Sequence, residues 1–287
     1  MSPVQRDSHE PQSGHELRRG HELRHGHGWR EPDGLAAPQA QAVGLATQCT
    51  TLLRWQLAAV GPMLPLVLIV QVMMAAGIAV GFGFIIPDIS SDTALFLSTG
   101  IPTVLLMTIG LVIVPQAVAT ARLNGTLDYM RSLPIARPLL VLVDLVLWLV
   151  VGLPGVAAGV AVAAVRYQLE LSISWAQLVG AALLVAITAT AVGYAIALTF
   201  KPMVAQLLSQ VLVFFVLLFS PVTFPASQLP QWFAAVHDAL PVRPAADLIR
   251  AGLASETFTA SGRDVLILAI WAALGLFLAV RAVTRRG

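Results

Sequence analysis

Charge is scarce in this sequence. Only 11% of its 287 residues are Asp, Glu, Lys or Arg, where a soluble domain carries roughly 25%. That excludes an ordinary water-facing globule of this size, and 57% hydrophobic residues with a mean hydropathy of +0.81 point to a membrane protein. A single cysteine, Cys49, excludes both an internal disulfide framework and a four-thiolate zinc site. There is one lysine, Lys201, in Phe200-Lys201-Pro202, and no G-x-x-x-x-G-K-[ST] phosphate loop. ATP binding by that route is therefore excluded. The net charge of +2 is too small to indicate a nucleic-acid partner.

The chain divides by composition. Residues 1–50 are polar, rich in Gly, Pro, His and Arg, and read as a disordered tail without the apolar core of a signal peptide. Residues 51–287 form long apolar runs with short polar gaps. About 20 apolar residues span a bilayer core as a helix, and six runs qualify: 57–86, 94–119, 138–165, 176–200, 203–219 and 265–283. Pro62 and Pro65 favour a break that leaves part of the first run in the interface. Pro102, Pro115 and Pro154 predict kinks. The glycine pairs Gly77/Gly81 and Gly155/Gly159 predict close helix packing, within the chain or across a dimer.

Orientation follows from the basic residues. The tail, the second loop (Arg122, Arg131, Arg137), the fourth gap (Lys201) and the C-terminus (Arg281, Arg285, Arg286) alternate with poorly basic loops. Both termini are therefore expected to be cytoplasmic. All but one of the 17 basic residues are arginine, and Ala and Val abound, which points to a GC-rich bacterial genome.

One string in the tail matches a zinc motif. His21-Glu22-Leu23-Arg24-His25 fits H-E-x-x-H, in which two histidines on one helix face hold zinc and the glutamate acts as base. A membrane metalloprotease is thus an alternative. Gly20, Gly26 and Gly28 make a poor helix setting, and the string nearly repeats Gly14-His15-Glu16-Leu17-Arg18, as a duplicated low-complexity segment would. No metal site is therefore assigned.

The second loop is the most informative stretch. Thr126 after Asn124-Gly125 is a good N-cap, and Asp128 in the first turn suits the helix dipole. Leu127 and Met130 share an apolar face, while Asp128 and Arg131 share a polar one. Pro134 restricts Leu133 and ends the helix. Two readings stand: a turn that only joins two spans, or a helix that docks on a cytoplasmic partner.

After the fifth run, Pro221 and Pro225 cannot lie inside a regular span. Leu229, Trp232, Phe233, Val236 and Leu240 fall on one helical stripe; Gln228, Gln231, His237 and Asp238 fall off it. An amphipathic helix at the outer interface is expected, with Trp232 at headgroup depth. The break at Ser220, Pro221, Phe224 and Pro225 either lines an exit path or belongs to a plain interfacial hairpin. Asp247 and Arg250 are spaced to pair. Asp144 is nearly alone among ionisable residues within the runs. It reads either as a coupling site or as a hydrogen-bonded residue near the cytoplasmic interface.

Gly125, Thr126, Leu127, Arg131, Ser132, Leu133 and Pro134 resemble the stretch that follows the second span in ABC-2 type permeases of ATP-binding-cassette transporters. In this chain Arg122, Leu123 and Asn124 stand where the family usually carries acidic residues. The stretches 219–225, 228–232, 240–241 and 247–250 resemble the broken fifth span and the re-entrant helices of the same family. The resemblance implies an all-α membrane protein with six transmembrane helices, a cytoplasmic coupling helix (Gly125, Thr126, Leu127, Asp128, Tyr129, Met130, Arg131, Leu133) and a re-entrant or interfacial helical hairpin between the fifth and sixth. It implies an exporter subunit without its own nucleotide site, in a bacterial cell membrane. The partners would be cassette ATPase subunits carrying ATP and magnesium, a second permease in a homo- or heterodimer, the lipid bilayer, and a small amphiphilic substrate: a drug, antibiotic or lipid. A non-transporting membrane scaffold remains the third class.

Overall fold

A computed structural model describes residues 44–85, 90–133, 135–168, 171–222 and 230–284. The tail string with His21 and His25 lies outside them, as do Pro134, Phe224 and Pro225.

Every regular element among the described residues is a helix. The first apolar stretch is α1 (Leu45–Val60), a single 3-10 turn (Gly61–Met63) and α2 (Leu64–Ile85). Helix α1 begins ahead of residue 51, and the expected break at Pro62 and Pro65 is only this tightened turn. Each proline sits in the first turn of the segment it opens, where no N–H is needed. The 40-residue stretch Leu45–Phe84 would measure about 60 Å at 1.5 Å per residue. A hydrocarbon core takes up about half of that, so part of the stretch must lie outside it.

The second stretch is α3 (Ser91–Thr108), a π-helical turn (Ile109–Ile113) and α4 (Val114–Leu123). The π turn ends just before Pro115, which cannot donate to the helix ladder; the widened turn absorbs that loss. Then come the short α5 (Thr126–Ser132), α6 (Arg137–Tyr167), α7 (Trp175–Thr199) and α8 (Pro202–Phe219). Two short helices follow, α9 (Gln231–Ala239) and α10 (Val242–Leu253), and the last is α11 (Gly262–Thr284).

Five stretches are long and apolar enough to cross a membrane: Leu45–Phe84, Ser91–Leu123, Arg137–Tyr167, Trp175–Thr199 and Gly262–Thr284. The expected fifth run appears as α8, whose described apolar part, Pro202–Val216, is shorter.

Helix α3–α4 is the central post, with 89% of its apolar window buried, against 17% for the α1–α2 stretch and for α11. The outer helices therefore present apolar faces away from the bundle, as lipid or a second chain requires. Helix α7 packs against α3, α4, α6, α10 and α11. The approach is close because both partners lack side chains where they meet: a Cβ on Gly193 would come within 1.9 Å of the Gly110 carbonyl oxygen. Of the two expected glycine pairs, Gly155 and Gly159 pack inside the chain against Gln71 and Leu105, while Gly77 and Gly81 face open space.

Candidate functional site

Two places bring together the residues singled out by sequence. The first is the elbow at α5. Helix α4 ends at Asn124, and Gly125 takes a left-handed conformation with φ of +73°. Only a glycine adopts this without steric cost, and it closes α4 in the manner of a C-cap. The same residue then serves as N-cap of α5: its carbonyl accepts from Tyr129 N at 3.0 Å. Thr126, expected as the cap, is instead the first helical residue and makes no side-chain capping bond. The reversal needs positive φ at the residue before the helix, and that requirement outranks the hydroxyl. Leu133 is extended, with ψ of 147°, as a residue before proline should be.

Helix α5 has two faces. Leu127 is buried and Met130 half-buried, while Asp128 and Tyr129 are exposed. Arg131 lies 3.5 Å from Asp128, and Ser132 Oγ donates to the Tyr129 carbonyl at 2.7 Å. The apolar face turns toward its own bundle, over a cavity of about 180 Å³ lined by Trp55, Gln56, Leu127, Asp144 and Trp148. Gln56 Nε2 donates to Asp144 Oδ1, tying α1 to α6 beneath the elbow. Around the elbow, Arg122 donates to the carbonyls of Ala197 and Phe200, and Arg137 to that of Thr284. Both cations thus sit at the C-terminal ends of α7 and α11, where the helix dipole favours positive charge.

The second place is the end of α8. Ser220, Pro221 and Val222 leave the helix and are buried. Helix α10 packs against α3, α7 and α11, so a helix of only 12 residues lies within the bundle. Its Arg250 is 1% exposed. The guanidinium forms a 3.0 Å ion pair with Asp247, donates to the carbonyls of Pro221 and Val222, and stacks 3.6 Å over the Phe96 ring. It satisfies carbonyls that the broken helix leaves without ladder partners. On the surface of the hairpin, Arg243 pairs with Asp238 and, at 3.6 Å, with Asp247.

An ABC-2 type transporter family model matches residues 47–254, from α1 through the end of α10. The chain belongs to the ABC-2 type transporter family. Comparison with curated proteins gives no match.

In this ABC-2 permease the expected pairing of Asp247 with Arg250 is present, and Arg250 also holds the break, which no local pattern signals. Its spacing to Asp247 predicts only the pair. Helix α9 turns its apolar stripe away from the bundle. Trp232 and Val236, on the expected apolar stripe, are 70% and 46% exposed, whereas His237, expected off it, is fully buried. The reason is the solvent. In water an apolar stripe turns inward; in a membrane it can face lipid while the polar residue faces the bundle. His237 stacks on Phe215 with centroids 5.7 Å apart and meets Phe233 edge-on at 4.5 Å. Its Nδ1 lies 3.0 Å from the Phe233 carbonyl. Among the described residues no group of three His, Cys, Asp or Glu is placed to hold a metal ion.

Proposed function

We propose that this permease is the membrane subunit of an ATP-driven exporter that moves a drug-like, antibiotic or lipidic molecule out of a bacterial cell. It lies in the cytoplasmic membrane with both termini inside. Six helices cross the bilayer, α8 being the fifth, and α9–α10 form the re-entrant hairpin. ATP and magnesium are bound by separate cassette ATPase subunits. Helix α5 rests in a groove of the ATPase and carries its closure into the bundle. A second permease, identical or related, completes the pathway; the open face of α2 at Gly77 and Gly81 supports a contact there. Cargo leaves beside the end of α8, at Ser220 and Pro221.

The observation that carries this reading is the α5 elbow. It is anchored inward by Leu127, above the Gln56–Asp144 link, and leaves Leu123 and Tyr129 70% and 62% exposed on its outer side. Exposed large apolar residues at a charged surface are what a protein partner covers. The test is co-purification of the cassette ATPase with Leu123→Asp and Tyr129→Asp variants. Both should retain the wild-type melting temperature and lose the ATPase. Retention of the ATPase at wild-type stoichiometry removes α5 as the docking element.

A further inference from the structure

The cavity beneath the elbow is bounded by α1, α4, α5, α6 and α7. Its volume is about 180 Å³. A cavity of about 150 Å³ takes up benzene, and sites for whole drug-sized molecules begin at about 300 Å³. This one can hold the head of an amphiphile and not its body. Its walls are largely apolar and include Trp55, Trp148 and Tyr194. One carboxyl group breaks that lining, Asp144.

Asp144 is within reach of a molecule in the cavity. It is only partly buried. Its neighbours one turn away on α6, Leu140, Val141, Leu147 and Trp148, are all buried, and Leu147 and Trp148 line the same cavity. The exposed part of Asp144 therefore opens on it. Oδ1 accepts from Gln56, while Oδ2 has no hydrogen-bond partner among the described residues. No Lys, Arg or His lines the cavity, and no ion pair among the described residues includes Asp144. A carboxylate in an apolar setting is costly without a countercharge, and Gln56 offers a dipole but no charge. The aromatic walls add an attraction that a cation feels, because ring faces are negative. The site is also close to a helix end, about 10 Å along α6 from Arg137.

We propose that this cavity binds a protonated amine, the ammonium head of an organic cation whose apolar remainder leads out past the exposed Trp55. An ammonium N–H donates to Asp144 Oδ2, and the charge lies among Trp55, Trp148 and Tyr194. An alcohol of the same shape can donate to Oδ2 but leaves the carboxylate without a countercharge. An anion is repelled. A hard metal ion seeks six or more oxygen ligands, and a lining that is mostly apolar does not supply them. Binding of this kind does not depend on the transport reading.

The test uses the full chain in phosphatidylcholine nanodiscs, whose neutral surface does not concentrate cations. The probe is 4-bromobenzylamine, protonated at neutral pH, with its heavy-atom quencher on the head itself. Trp148 lines the cavity, so the probe should quench its fluorescence saturably, and Trp148→Phe, which keeps a ring in place, should lose that component. The uncharged 4-bromobenzyl alcohol should bind about tenfold more weakly, as expected for the loss of a charge-assisted hydrogen bond. Asp144→Asn keeps an acceptor for Gln56 and removes the charge; it should weaken the amine about tenfold and leave the alcohol unchanged. Equal affinities for amine and alcohol overturn the proposal. So does an unchanged amine affinity in a folded Asp144→Asn, or the absence of a saturable Trp148 component. If Asp144→Asn does not fold, the comparison of amine with alcohol on the wild-type chain, read through Trp148, decides alone. The source of the amine is read by displacement of the probe. Displacement by phosphatidylethanolamine placed in the nanodisc marks an aminolipid headgroup. Displacement by soluble hexylamine and not by the lipid marks a diffusible amine. Failure of both to displace the probe overturns an ammonium site.

Discussion

The two ends of the bundle treat their arginines in opposite ways. At the α5 elbow, Arg122 and Arg137 are half-buried, and each closes a helix whose last carbonyls would otherwise face water. At the end of α8, Arg250 is almost fully buried and closes an interrupted helix inside the bundle. The chemistry is the same, a guanidinium donating to orphan carbonyls. The alternative differs. At the elbow, water can replace the arginine; beside Pro221 and Val222 it cannot readily do so. A cation that is optional at one end is therefore structural at the other.

The sharpest way to break this comparison is Arg250→Met. It strands two buried carbonyls, at roughly 1–3 kcal/mol each, and leaves Asp247 with only its 3.6 Å contact to Arg243. Thermal unfolding in mild detergent should show a correspondingly large drop, while Arg122→Met under the same conditions should shift far less. Equal losses would erase the distinction between the ends.

Two glycines sharpen it. In α10, a Cβ on Gly252 would fall 2.6 Å from the Leu178 Cα. Gly252→Ala should therefore force α10 from α7 and cost about 2 kcal/mol by overpacking. At the elbow nothing lies within 4 Å of the Gly125 position, so Gly125→Ala meets only its left-handed backbone, worth about 1 kcal/mol. The order of these two losses, read by the same unfolding assay, separates a packing constraint from a conformational one. The smallest effect is expected of Asp128→Asn. Its carboxylate is 76% exposed and 3.5 Å from Arg131, so stability should change by less than about 0.5 kcal/mol. A larger loss would mean that the ion pair, and not the Leu127 contact, holds α5 in place.

Much of the architecture was legible in the residues. Long apolar runs can only be helices in lipid, because every backbone group must be satisfied within its own segment. That is why the run at 138–165 appears as Arg137–Tyr167 and the run at 176–200 as Trp175–Thr199. The turn at Asn124-Gly125 and the helix stop before Pro134 were equally plain, since both depend on the backbone freedom of single residues.

The facing of the short helices was not legible. The apolar stripe of α9 looks the same whether it turns toward a core or toward lipid, and only the positions of Phe215 and Phe233 decide that His237 is the buried residue. Arg250 likewise lies three residues from Asp247 in any helix. That it also reaches Pro221, Val222 and Phe96, all distant in the chain, depends on where α10 packs. Periodicity and backbone chemistry are local and can be read along the chain. The choice of which polar group is buried depends on partners that folding alone brings within reach.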